Sequence, residues 1–186
     1  MKLAIRHIGT ISTGRNLLLL GGLFLLMALL IMPAAGKDLQ SFSNGVPPLD
    51  LSFYYSPATA QAYMDAYGKE GRKLYLFTEL TADVVYPVIY TLFFCVLLGW
   101  LVKNAPFPLS DKLVLLPLFV FTFDILENAG IVWLLVKYPQ PMPLVAAFAG
   151  VFTSLKWVSF AITLGTVMFI AARWAFNAWK HATVKT

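Results

Sequence analysis

Residues 73–102 read KLYLFTELTADVVYPVIYTLFFCVLLGWLV, and this stretch decides the fold class. It is apolar and exceeds the roughly 20 residues that a helix needs to cross a bilayer. Yet it carries two acids, Glu79 and Asp83, four residues apart and therefore on one helical face. Extending the same period collects Arg72, Tyr75, Glu79, Asp83, Tyr86 and Tyr90 into one narrow stripe. Intervening positions such as Leu76, Leu80, Val84 and Val88 are apolar. A face this polar is expected to turn away from lipid, towards other helices. Pro87 lies within the stripe and removes the donor that would serve the Asp83 carbonyl, so a kink is expected there.

The rest of the chain agrees with a membrane setting. Apolar residues make up 59% and charged residues 12%, against roughly 45–50% and 25% in soluble domains. The net charge of +5 does not form the patch or stripe that nucleic acid binding requires, so no nucleic acid partner is expected. The basic residues instead sit at the ends of apolar runs. Cys95 is the single cysteine, which excludes an intrachain disulfide, and it reads as a small core residue. His7 and His181 lie in the two tails, and no Cys/His spacing suits a metal, so neither cofactor nor metal is predicted.

Three further apolar runs complete an antiparallel four-transmembrane-helix bundle, a single membrane domain over residues 1–186, with predicted spans at about 16–35, 73–102, 113–136 and 144–172. The first, Asn16 to Ala35, follows Lys2, Arg6 and Arg15 and ends in Pro33-Ala34-Ala35-Gly36. That pattern also describes a cleaved signal peptide, but the run's length favours a retained helix. Residues 36–72 are polar enough to lie outside the bilayer, on the outer side. Within them Ser43-Asn44-Gly45-Val46-Pro47-Pro48 is turn chemistry. Ser56-Pro57 is a helix start, opening a short amphipathic helix over Ala58 to Tyr67 that ends near Gly68 or Gly71. Phe53, Tyr54, Tyr55, Tyr63 and Tyr67 crowd this region, which suits a helix lying in the headgroup layer. Short prolyl loops after Lys103 and Lys137 make the last three spans neighbours. Lys2, Arg6, Arg15, Lys103, Lys112, Arg173, Lys180 and Lys185 fall on one side, and Lys37, Lys69, Arg72, Lys73 and Lys137 on the other. The excess places both termini in the cytoplasm of a multi-pass protein of the bacterial inner (plasma) membrane.

The third span carries Asp124, Glu127 and Asn128 on a common face, and the fourth carries Lys156 among Thr153, Ser159 and Thr163. At about 1.5 Å of rise per residue, Asp124 and Lys156 each lie roughly 18 Å below the outer ends of their helices. Glu127 and Asp83 lie near ~14 Å on the same rise. An unpaired charge at the bilayer centre costs at least about 2.5–3.5 kcal/mol. The four acids and one ammonium must therefore largely neutralise one another, with Lys156 paired to Asp124 or Glu127. The candidate pocket residues are Arg72, Tyr75, Glu79, Asp83, Tyr86, Tyr90, Asp124, Glu127, Asn128 and Lys156. Asp83, Asp124 and Glu127 are the candidates for acid–base chemistry. The plainer alternative is that these groups only fix helix packing, with Tyr86 and Tyr90 as packing residues and Arg72 as an interfacial anchor.

The runs Gly71-Arg72-Lys73-Leu74-Tyr75, Asp83-Val84-Val85-Tyr86-Pro87-Val88-Ile89-Tyr90 and Phe123-Asp124-Ile125-Leu126-Glu127-Asn128 resemble a set of uncharacterised bacterial four-helix integral membrane proteins. The likeness spans most of the chain and implies the fold without an activity.

Three functions fit these residues. The first is a polar intramembrane pocket that binds or acts on a small amphipathic or lipid-derived molecule, walled by the tyrosines. The second is a proton-linked transporter element, which needs a polar route to both sides. The inner halves Val96 to Trp100, Leu113 to Phe121 and Gly165 to Ile170 read as dry, and one such protomer is small for alternating access, so a homodimer is implied. The third is an accessory or assembly subunit, in which the polar stripe faces a membrane-protein partner. Membrane lipids are partners in all three. Neither a phosphate loop nor a Ser/His/Asp set is present.

Overall fold

The computed structural model describes residues 2–183, for 181–183 the backbone only. Lys185 and the side chain of His181 lie outside the described residues. Among the described residues the chain is all-helical, with four helical stretches long and apolar enough to cross a membrane: Gly14–Phe42, Gly68–Asn104, Asp111–Lys137 and Pro143–Lys180.

The helices are α1 (Lys2–Ile11), α2 (Gly14–Leu26), α3 (Met32–Phe42), α4 (Pro57–Ala66), α5 (Gly68–Leu80), α6 (Ala82–Asn104), α7 (Leu116–Lys137) and α8 (Pro143–Thr183). The basic N-terminal tail is thus itself helical. Ile5 and Ile8 pack into an apolar cluster around Leu98, Leu101, Val114 and Ile170. Thr13 caps the next helix by accepting from the Asn16 amide at 3.3 Å.

The first apolar stretch is longer than the sequence pattern indicates. A π-helical turn, Met27–Ile31, joins α2 to α3, and the helix then carries on to Phe42. Residues 36–42 are therefore helical, and the turn begins at Ser43, with Asn44 and Gly45 both at positive φ. The expected start of the short helix is present: Ser56 accepts from the Thr59 amide at 3.1 Å, with Pro57 in the first turn. Gly68, at φ +62, lets the chain swing from α4 into α5. The aromatic residues expected in the headgroup layer divide. Phe53 and Tyr54 are exposed, whereas Tyr55 and Tyr67 are buried in a core with Leu39, Met64, Tyr75 and Ile131. They pack the protein rather than anchor its surface.

Six residues before Pro87, where a kink is expected, the helix is interrupted at Thr81, whose φ −124 and ψ −82 leave the helical region between α5 and α6. Helix α6 continues through Pro87. The Asp83 carbonyl that Pro87 deprives of an amide receives the Asn128 side-chain amide from α7 at 2.9 Å. A neighbouring helix thus supplies the missing donor. Helices α7 and α8 approach closely because small residues face one another: a Cβ on Gly130 would lie 2.8 Å from that of Ala149.

This arrangement predicts a coupled pair. Asn128→Leu should cost about 1–3 kcal/mol by orphaning a buried carbonyl, read as a lower unfolding midpoint in detergent. The loss should shrink in a Pro87→Ala background, where the backbone amide returns. Equal losses in both backgrounds would show that the bond to Asp83 carries no weight.

Candidate functional site

The site is assembled around Lys156, which α8 directs towards α7. Its ammonium pairs with Glu127 at 2.5 Å and Asp124 at 3.4 Å, and all three residues are buried. The spacing of three places both acids on the α7 face that meets α8. Each acid holds a second donor. The Thr153 hydroxyl donates to Glu127 at 2.6 Å, and the Tyr90 hydroxyl donates to Asp124 at 2.7 Å. A buried ion pair is tolerable only when its remaining lone pairs are also satisfied in this way.

The loop between α3 and α4 completes the site, and its contribution is the residue that the sequence pattern did not reveal. A short 3₁₀ turn, Leu49–Leu51, carries Asp50 inward. The Tyr75 hydroxyl donates to the Asp50 carboxylate at 2.8 Å while accepting from the Leu49 amide at 3.1 Å. From α8, Lys156 donates to the Asp50 carbonyl at 3.4 Å, Trp157 to the Ser52 carbonyl at 3.0 Å, and Ser154 to the Phe53 carbonyl at 2.9 Å. At Gly150 any Cβ would overlap the Tyr55 carbonyl, so only glycine lets this loop lie on α8. Tyr67 ties the start of the loop by donating to the Pro47 carbonyl at 2.8 Å. Burial pushes the Tyr55 and Tyr67 phenols well above their usual ionisation range, so both stay neutral.

Beneath this loop lies a cavity of about 600 Å³. Asp50, Asp83, Asp124 and Lys156 line it together with Tyr75, Tyr86 and Tyr90. The first apolar helix forms the opposite wall through Ala28, Met32, Pro33 and Gly36, beside its π-helical turn. Such turns occur frequently at functional sites. Trp157 and Phe160 add apolar surface.

The candidate residues therefore separate. Tyr75, Asp83, Tyr86, Tyr90, Asp124 and Lys156 line the cavity. Glu127 and Asn128 lie behind it, as ion partner and helix brace. Glu79 is buried away from the cavity wall, and neither of its carboxylate oxygens has a hydrogen-bond partner among the described residues. Arg72 is set apart: it donates to the Met64 carbonyl at 2.6 Å and its guanidinium lies 3.6 Å from the centre of the Tyr138 ring. It clamps α4 and the turn after α7 to α5. Asp83 differs from the other acids that line the cavity. It is only 7% exposed, yet its carboxylate makes no hydrogen bond or ion pair among the described residues.

Compared with known proteins, the chain matches no family model, no curated protein and no solved structure. Any functional reading must therefore come from this geometry.

The ion cluster makes a definite demand. Lys156→Met should destabilise the protein by about 3–5 kcal/mol, because it strands two buried acids. Adding Glu127→Gln should restore more of the unfolding midpoint than adding Asp124→Asn, since Glu127 is the closer and fully buried partner. Failure of both to rescue would disprove the pairing.

Proposed function

We propose that this chain is a multi-pass integral membrane protein whose interior cavity binds or acts on a small amphipathic or lipid-derived molecule. In this reading it crosses the bacterial inner membrane four times as an antiparallel bundle, with both termini in the cytoplasm. Support for the membrane setting comes from the outer surface. Leu18, Leu29, Leu144, Phe148, Met168 and Phe169 are all more than 60% exposed, a density of bare apolar side chains that water-soluble monomers avoid. Burying each in hydrocarbon is worth about 1.5–3 kcal/mol.

The observation that carries the pocket reading is the cavity itself. Its volume of about 600 Å³ falls in the usual range for small-molecule sites. Its wall is largely apolar, with a minority of polar groups that include Lys37, Asp50, Asp83, Asp124 and Lys156. An amphipathic ligand has the same division. The transporter reading has no comparable support. On the α1 side of the cavity the described residues form apolar clusters, Tyr90, Phe94 and Val120 followed by Leu98, Leu101, Val114 and Ile170. The assembly-subunit reading requires the polar stripe to face outward, whereas Tyr75, Glu79, Asp83 and Tyr90 are buried within the monomer.

Extraction of the protein in native lipid discs followed by mass spectrometry tests the reading. A defined amphiphile should remain after bulk lipids are exchanged, in near one-to-one ratio. Ala28→Phe, which places a ring in the cavity, should reduce its retention about tenfold or more. Retention of bulk phospholipid alone, unchanged by Ala28→Phe, would refute the pocket.

A further inference from the structure

We propose that the molecule held in this cavity carries a cationic head, a protonated amine on an apolar body, and that Asp83 is its counter-ion. The inference rests on the pocket reading above and specifies its ligand class.

The sequence pattern places four acids against Lys156, and the folded loop adds a fifth, Asp50. Glu127 and Asp124 share the one ammonium. Asp50 receives the Tyr75 hydroxyl, and its backbone carbonyl faces Lys156 and Trp157. Among the described residues no donor bonds to the Asp83 carboxylate. Lys37, the other basic residue on the cavity wall, makes no ion pair with it.

The second observation is the position of Asp83. It lies in the first turn of α6, immediately after the interruption at Thr81, and lines the cavity while more than nine-tenths buried. Asp124, by contrast, has both an ammonium and a phenol. A buried acceptor left without a protein donor is costly, and more so when charged. A ligand donor offsets that cost on binding.

The aromatic walls narrow the donor's class. Tyr86 lies one turn from Asp83 and packs edge-on against Tyr90, with ring centres 5.3 Å apart, and Phe24 stacks beside Tyr86. Both tyrosines line the cavity. Ring faces next to an acid favour an ammonium through the ring quadrupole. A carboxylate or phosphate head would instead meet Asp50, Asp83 and Asp124 with only Lys156 and Lys37 to oppose them. Trp157, Phe160 and the Ala28–Gly36 wall leave apolar room for the body of the molecule.

The test compares three probes that differ only in the head: dodecylamine, dodecanol and dodecanoate, each at equal mole fraction in phosphatidylcholine nanodiscs holding the full chain. Unfolding midpoints across a probe series give apparent affinities. The amine should bind about tenfold or more tighter than the alcohol, and the carboxylate weakest. Asp83→Asn should remove the amine's advantage while leaving dodecanol binding within about twofold. Should Asp83→Asn fail to fold, the ranking on the unmodified protein decides. Dodecanol or dodecanoate binding as tightly as the amine, or an undiminished preference in Asp83→Asn, overturns the proposal. If dodecanol binds and the amine has no advantage, the pocket stands and only the cationic head is wrong. If no probe binds, the pocket reading falls with it.

Discussion

An ammonium placed among apolar helices must have acids beside it, and the pairing of Lys156 with Glu127 and Asp124 organises the rest of this molecule. The pair fixes which face of α7 meets which face of α8. Gly130 opposite Ala149 permits the approach that the ion contacts need. Tyr90 and Thr153 then fill the remaining acceptor positions, so α6 and α8 are drawn to the same centre. A buried charge pair gives little net stability over an apolar equivalent, but leaving it half-made is costly.

The loop over the site follows from the same centre. Its carbonyls at Asp50, Ser52 and Phe53 face the donors of Lys156, Trp157 and Ser154 on α8. On its other side Tyr75 holds Asp50. A polar loop lying against apolar helices is tolerated because these donors satisfy its backbone. The space left beneath it, bounded by the loosely packed first helix, is the cavity. Within it Asp83 is the acid whose partner the protein does not provide.

Much of this was legible in the sequence because it depends on local period. Asp124, Glu127 and Asn128 share a face by spacing alone, and Lys156 sits too deep in an apolar run to reach water. The Ser56-Pro57 start and the Asn44-Gly45 turn are likewise local chemistry. What escaped is non-local or energetically slight. Asp50 lies in a polar segment whose inward course depends on Tyr75 and Trp157, residues distant in sequence. Pro87 is the stronger helix breaker on propensity, yet Asn128 compensates it, and the break falls at Thr81, a residue with only modest helix preference. The amphipathic α1 did leave a signal, Ile5, Ile8 and Ile11 at a spacing of three, hidden among the charges of a short tail.

On the proposed function, the cavity beside Asp83 is a binding site and not a packing fault. An experimental structure of the protein in native lipid discs tests this most directly. Continuous elongated density is expected beneath the Asp50 loop, its polar end beside Asp83 and Tyr86 and its tail along the wall from Ala28 to Gly36. A collapsed interior, with Tyr86 or Trp157 filling the space and Asp83 paired to a protein donor, would contradict it.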